Sequence, residues 1–168
     1  GNCAPLFTSK FINPRLPGIK NVTNFNPLAA FIYQTYVAYL YEFVKRNDHL
    51  NLLEKLPEPV LGNPFLVEYK KALRSQDLCN ATHEFYSVTD HASFVQELSI
   101  AELGAGYGRT AYVFLKAMPQ TKYCIIDIPP ALYVSQEYLS KVFPGEKIFR
   151  YRPFKDFGSV KNEFNQKN

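Results

Sequence analysis

The spacing of hydrophobic and polar positions divides the chain into two parts of different character. Before residue 98, apolar residues recur at helical intervals and predict three helices, over residues 27–46, 65–73 and 76–88. After residue 98 the pattern predicts strand, helix, strand, helix and strand, over residues 98–103, 109–118, 122–127, 130–143 and 147–152. The second of these strands is apolar throughout, which is typical of a strand buried on both faces of a parallel sheet.

This order of elements predicts an α/β protein with two domains. The first 25 residues contain several prolines and a glycine, which predict an irregular arm. With the three predicted helices that follow, we expect residues 1–97 to form this arm and a helical subdomain. Residues 98–168 are expected to form the first βαβαβ half of a Rossmann-like, doubly wound sheet.

The first predicted helix has two apolar sides. One side carries Leu28, Ile32, Tyr36, Tyr39 and Phe43, and the other carries Ala30, Tyr33, Val37, Tyr41 and Val44. This pattern predicts a helix that is buried on most of its faces. Packing in the core is one explanation, and a lid or a homodimer through the N-terminal helices is the other. Because Asn, Gln, Thr and Tyr residues interrupt the uncharged run from Asn24 to Tyr41, we expect no membrane span.

The turn after the first predicted strand is rich in glycine. Its sequence is ELGAGYGR, from Glu102 to Arg109, and it holds three of the eight glycines of the chain. In a doubly wound sheet this turn lies at the carboxyl edge of the strands, where ligands bind. Glycine permits positive φ angles and lets a ligand approach the backbone closely. The turn therefore predicts a site for a nucleotide-type ligand.

The acidic residues and the glycine spacing indicate which nucleotide. In the dinucleotide fingerprint G-x-G-x-x-G, the third glycine falls where this chain has Arg109. Glu102 would repel a pyrophosphate but suits a cationic ligand. The observed E-x-G-x-G-x-G resembles motif I of the class I S-adenosylmethionine-dependent methyltransferases. Asp127, at the end of the second strand, is placed to accept hydrogen bonds from ribose hydroxyls with either cofactor. An NAD-dependent dehydrogenase and a non-catalytic nucleotide-binding module stay open as alternatives.

Four blocks of sequence extend this resemblance. They are EPVLGNPF, SQDLCNATHEFYSV, ELGAGYGRTAYVFLKAMP and KYCIIDIPPALYVSQEYLSKVFP, which lie between residues 58 and 154. Together they resemble the bacterial family of sugar O-methyltransferases. The resemblance implies a class I methyltransferase sheet, S-adenosylmethionine as cofactor, and a sugar hydroxyl of a small molecule or polysaccharide as acceptor. It implies cofactor contacts from Glu102, Gly104, Ala105, Gly106, Gly108, Arg109, Asp127 and Ile128.

The same resemblance leaves the catalytic residues unassigned. A class I methyltransferase sheet usually has seven strands, and only three are predicted here. We therefore expect the chain to be the N-terminal part of an enzyme and to be inactive alone. Three histidines, His49, His83 and His91, are candidate bases, but none is assigned, because the part that normally contacts the acceptor is absent.

Charge and cysteine content narrow the remaining functions. The net charge of +4 arises after residue 100, where the chain has ten basic and six acidic residues. Lys147, Arg150, Arg152 and Lys155 supply much of this excess, and a solvated strand and loop is favoured there over a nucleic-acid site. The three cysteines are far apart and predict neither a disulfide framework nor a metal site. Reduced cysteines fit a cytoplasmic protein.

Overall fold

Over the residues that the structure describes, the secondary structure is mixed, with helices and two small sheets of two strands each. A computed structural model describes residues 27–90 and 98–166, and the chain divides into one unit before and one unit after residue 90. The predicted arm over the first 25 residues, and His91, lie outside the described residues. No helix in the described ranges is long and apolar enough to cross a lipid bilayer.

The described part of the N-terminal unit contains three helices: α1 (Pro27–Lys45), α2 (Leu52–Lys55) and α3 (Gln76–Thr89). The predictions for α1 and α3 are confirmed to within one residue at each described end. Ser75 caps α3, because its side chain accepts a hydrogen bond from the backbone N–H of Leu78 over 3.0 Å. On α3, Leu78, Ala81 and Phe85 are buried, whereas Val88 is exposed.

A buried carboxylate joins these helices. Asp48 Oδ1 accepts hydrogen bonds from the backbone N–H of Leu52 and from the hydroxyl of Tyr86, over 2.6 and 2.7 Å. Asp48 Oδ2 accepts from the backbone N–H of Leu53 over 3.1 Å. The pKa of Tyr86 is raised, mainly by burial and then by this bond to Asp48. A single side chain thus caps α2 and ties it to α3.

The expectation that α1 is buried on most faces is wrong. Its buried residues are Ala30, Val37, Tyr41 and Val44, which all lie on one side. The other predicted apolar side is exposed, with Leu28 at 67% and Tyr39 at 69% of their full accessibility. Helix α3 and the hairpin of this unit pack against the side that carries these four buried residues, and Phe43 of the other side also contacts His83 of α3.

The helix predicted over residues 65–73 is also wrong, because this segment is a β-hairpin. Strand β1 (Leu66–Tyr69) pairs antiparallel with β2 (Ala72–Ser75). The two turn residues, Lys70 and Lys71, both have positive φ, at 51° and 63°, as a type I′ turn requires. Tertiary contacts support this unusual turn, since Lys70 forms an ion pair with Glu42 of α1 at 2.6 Å.

The C-terminal unit follows the predicted order through its first four elements. These are β3 (Ser99–Leu103), α4 (Arg109–Ala117), β4 (Lys122–Ile126) and α5 (Pro129–Val142). The two strands are parallel, and Glu102 lies opposite Ile125. Helix α4 buries Ala111, Val113 and Phe114. A strand–helix–strand–helix arrangement with a parallel sheet is therefore present.

The third strand predicted over residues 147–152 is not formed, so the sheet has two strands in the described part of the chain. This segment is irregular and is tied to α5, where the backbone N–H of Tyr151 donates to Gln136 Oε1 over 2.9 Å. A central strand would bury Arg150 and Arg152, which is costly. Instead Arg150 pairs with Glu137 of α5, and Arg152 pairs with a glutamate of α6 (Lys161–Gln166).

The expectation that the second strand is buried on both faces is wrong as well. Lys122 and Ile126, which lie on one face of β4, are exposed, and so is Leu103 of β3 opposite Ile126. This face of the sheet lacks a covering layer among the described residues.

Candidate functional site

The glycine-rich turn between β3 and α4 has the backbone conformation that its sequence predicts. Gly104, Gly106 and Gly108 have φ angles of 79°, 57° and 93°, a region that other L-residues rarely occupy. The N–H of Gly104 donates to the carbonyl of Ile126 over 2.9 Å, which continues the pairing of β3 with β4 into the turn. The turn is therefore attached to the carboxyl end of both strands.

The three glycines have different surroundings. A Cβ atom added to Gly104 or Gly106 would meet no atom within 4 Å, so both residues border open space. A Cβ atom on Gly108 would lie 3.3 Å from Cδ1 of Leu139, because α5 packs against this glycine. Gly104 and Gly106 are thus open to a ligand, whereas Gly108 is buried against a helix.

Asp127 lies beside this turn, directly after β4. Its Oδ2 atom accepts a hydrogen bond from the backbone N–H of Gly106 over 3.1 Å, and its Oδ1 atom accepts from the N–H of Ile128 over 2.8 Å. A carboxylate offers about four lone-pair positions, so two bonds leave capacity for further donors. The structure therefore brings Gly106 and Asp127 together at one edge.

Glu102 is half-buried near the end of β3 and is held by a tyrosine of the neighbouring strand. The hydroxyl of Tyr123 donates to Glu102 Oε2 over 2.9 Å. Sequence reasoning missed Tyr123. Its position one strand away, on the same face as Glu102, follows from the parallel register, which the sequence does not specify.

Arg109 begins α4 and is 95% buried, since only 5% of it is exposed. Its Nε donates to the hydroxyl of Tyr107 over 3.1 Å, and its guanidinium lies within 6 Å of the ring centroids of Tyr107 and Tyr138. Such stacking lets an arginine be buried beside aromatic rings. The two tyrosines were also missed, and Arg109 connects the start of α4 to α5 through them.

The remaining predicted residues, Ala105 and Ile128, lie at the same edge. Ala105 is half-buried in the turn, and its carbonyl accepts from the N–H of Gly108 over 2.9 Å. Ile128 is 67% exposed. Leu103 and Ile126 are also exposed apolar side chains at the ends of the strands. The edge thus combines backbone, carboxylate and apolar surface.

Two of the three histidines that are candidate bases, His49 and His83, lie within the described residues. His49 contacts the carbonyl of Asn47, at 3.1 Å from Nδ1, and His83 packs edge-on against Phe43 with ring centroids 5.4 Å apart. Both belong to the N-terminal unit. No group of three or more potential metal ligands occurs within residues 27–90 and 98–166. Burial raises the pKa of the Cys79 thiol to about 12, which makes it a poor nucleophile.

A cavity of about 450 Å³ lies in the C-terminal unit. It extends along β4, α5 and the irregular segment after α5, and its lining includes Ile125, Leu139 and Phe149. None of the predicted cofactor residues lines this cavity, but its lining includes Tyr123 and Leu139, which contact Glu102 and Gly108.

The chain was compared with protein families, curated proteins and solved structures, and none of them matches it.

Proposed function

We propose that the edge formed by the glycine-rich turn and Asp127 binds S-adenosylmethionine. The observation that carries this proposal is the hydrogen bond from Gly106 to Asp127, next to the open space in front of Gly104 and Gly106. This hydrogen bond connects two groups at the carboxyl end of the parallel strands. One is a backbone segment that a ligand can approach, and the other is a carboxylate that can bind a ribose.

The residues at this edge match the chemical groups of the cofactor. Asp127 accepts hydrogen bonds from the ribose hydroxyls, using the lone pairs that the two backbone N–H groups leave open. Glu102, held by Tyr123, attracts the positive charges of the amino-acid part. Ile128 offers an exposed apolar surface for the adenine ring. When bound, the cofactor would supply an electrophilic methyl group for transfer to an acceptor oxygen.

The surroundings of α4 favour this cofactor over NAD. A dinucleotide places its pyrophosphate on the N-terminus of the helix that follows the glycine-rich turn. Here the first residues at that end, Gly108 and Arg109, are buried, and Leu139 covers Gly108. The acidic Glu102 precedes the turn and disfavours an anionic ligand further.

The reaction that we propose is methyl transfer by a class I, Rossmann-like methyltransferase. The strand–helix–strand–helix order and the glycine motif support this class. A sugar hydroxyl as acceptor, and a bacterial cytoplasm as location, rest on the sequence resemblance. A non-catalytic nucleotide-binding module is the second candidate, because neither described histidine belongs to the unit that holds the edge. A module of this kind would bind the cofactor without transferring its methyl group.

Two measurements on the protein at its full natural length test these proposals separately. Isothermal titration calorimetry compares S-adenosylhomocysteine with NAD, and we expect binding of the first only. Methyl transfer from isotope-labelled cofactor is then measured with nucleotide sugars, oligosaccharides, proteins and RNA as acceptors. Tight binding of NAD with no response to S-adenosylhomocysteine contradicts the proposal that S-adenosylmethionine is the cofactor. Binding without transfer to any acceptor favours the non-catalytic module, and preferential labelling of protein or RNA contradicts a sugar acceptor.

A further inference from the structure

Helix α1 has an exposed apolar stripe on the side opposite its buried face. We call this surface the α1 stripe, and it consists of Leu28, Phe31, Ile32, Tyr36, Tyr39 and Phe43. These side chains retain between 41% and 69% of their accessible surface. At 100° per residue they fall within one side of the helix, and the buried residues Ala30, Val37, Tyr41 and Val44 occupy the other.

The α1 stripe is large enough to bind a protein. With about 200 Å² of surface for each large side chain, the exposed fractions leave roughly 650 Å² in the stripe. A typical monomer exposes about 300–600 Å² in its largest apolar patch. Two such stripes packed together would bury on the order of 1,300 Å², which lies at the low end of specific protein interfaces.

The charge pattern indicates a partner with the same surface. No Asp, Glu, Lys or Arg occurs from Pro27 to Tyr41, so two stripes can meet without bringing like charges together. A helix that lies on a membrane usually carries cationic side chains along its polar side. The side opposite the α1 stripe is instead buried in the protein core. These features favour a second copy of the chain over an anionic lipid surface.

We propose that two copies of this chain form a symmetric dimer through antiparallel contact of their α1 stripes. A parallel pair would bring two copies of Arg46, directly after α1, close together and would align the two helix dipoles. An antiparallel pair separates the arginines and opposes the dipoles. The two-fold axis then passes between Thr35 and Tyr36, which lie at the middle of the stripe.

This symmetry specifies which residues meet. Leu28 lies opposite Phe43 of the partner subunit, and Ile32 lies opposite Tyr39 of the partner subunit. The spacing of the seam residues Leu28, Ile32, Tyr36, Tyr39 and Phe43 is four, four, three and four, which suits the packing of two long helices side by side.

Sedimentation velocity of the full chain over a range of concentrations measures the dimer, with Ile32→Glu and Tyr39→Lys as single variants. Each single change buries two unpaired charges in the dimer and is expected to raise its dissociation constant at least about 100-fold. The double variant, Ile32→Glu with Tyr39→Lys, places opposite charges against each other in an antiparallel pair only. We expect it to restore dimer formation, whereas in a parallel pair like charges would still meet.

The control is Leu73→Glu, at a similarly exposed apolar residue of the hairpin, which should leave the dimer unchanged. Circular dichroism spectra verify that every variant is folded. A wild-type chain that stays monomeric contradicts the proposal. So does binding of the wild type to phosphatidylcholine vesicles that Ile32→Glu abolishes, since the stripe would then bind lipid. If the wild type is monomeric and Ile32→Glu lowers its thermal stability, another part of the same chain covers the α1 stripe, which also contradicts the dimer.

Discussion

Gly106 and Asp127 are connected by a hydrogen bond of 3.1 Å, from the backbone N–H of the glycine to Oδ2 of the carboxylate. The other carboxylate oxygen accepts from the N–H of Ile128 over 2.8 Å. One side chain therefore holds the turns that follow two neighbouring parallel strands. The same side chain keeps lone pairs for a ligand, so the geometry of the turn and its binding capacity depend on one residue.

Gly106→Val should abolish cofactor binding, because its branched side chain would fill the open space that a ligand needs. We expect the dissociation constant for S-adenosylhomocysteine to rise by about 100-fold or more in calorimetry. Gly145→Val is a matched control, since Gly145 also has a positive φ, of 108°, and a Cβ atom there also meets nothing within 4 Å. Both variants should lose about 1–2 kcal/mol of stability from backbone strain. Normal binding by Gly106→Val would mean that this glycine serves only the turn.

Asp127→Ala should weaken the binding of S-adenosylhomocysteine by about 10- to 100-fold, since hydrogen bonds to a charged group contribute about 1.5–3 kcal/mol. The change also removes the acceptor of two backbone N–H groups. Because both hydrogen bonds are exposed, water replaces the carboxylate, and thermal stability should fall only slightly. Asp127→Asn keeps one amide oxygen as acceptor and should give an intermediate affinity. An unaltered dissociation constant in the alanine variant would place the ribose elsewhere.

Tyr123→Phe removes the hydroxyl that holds Glu102 and leaves the rest of the ring, which packs against Phe114 with centroids 5.8 Å apart. Loss of one hydrogen bond, which contributes about 0.5–1.5 kcal/mol, should weaken the binding of S-adenosylhomocysteine by roughly 3- to 10-fold. Tyr133→Phe on α5, where the tyrosine is 60% exposed, serves as the control and should bind normally. Equal affinities in the two variants would show that Tyr123 does not position Glu102 for the ligand.

The stability of the N-terminal unit should decrease at alkaline pH through Cys79. Burial raises the pKa of this thiol from 9.0 to about 12. Between these values the unfolded chain loses a proton that the folded chain keeps, so the contribution of Cys79 is complete below pH 9 and declines as the pH rises towards 12. The corresponding slope is about 1.4 kcal/mol per pH unit.

Urea unfolding of the wild type and of Cys79→Ala at several pH values tests this dependence. The alanine variant should be less stable at neutral pH, because it leaves a small cavity beside Tyr41 and Leu53. Above pH 9 its free energy of unfolding should fall less steeply than that of the wild type. Parallel pH profiles of the two proteins would contradict the assignment of this proton to Cys79.

The sequence by itself determined the features that depend on neighbouring residues. The three closely spaced glycines of the turn permit positive φ, and all three have it. The order of β3, α4, β4 and α5 follows from changes in the period of the hydrophobic positions. Asp127 lies beside the glycine-rich turn because the turn follows β3, Asp127 follows β4, and these two strands are adjacent and parallel.

Tertiary structure decided the features that depend on distant residues. The pattern at residues 65–73 was compatible with a helix, but Lys70 and Lys71 form a turn beside Glu42 of α1. Both sides of α1 are apolar, and only the packing of α3 and the hairpin selects which side is buried. Arg109 is buried because the fold brings Tyr138 of α5 to its guanidinium. Burial and side-chain partners are set by elements far apart in the chain, and local periodicity carries no information about which of them will meet.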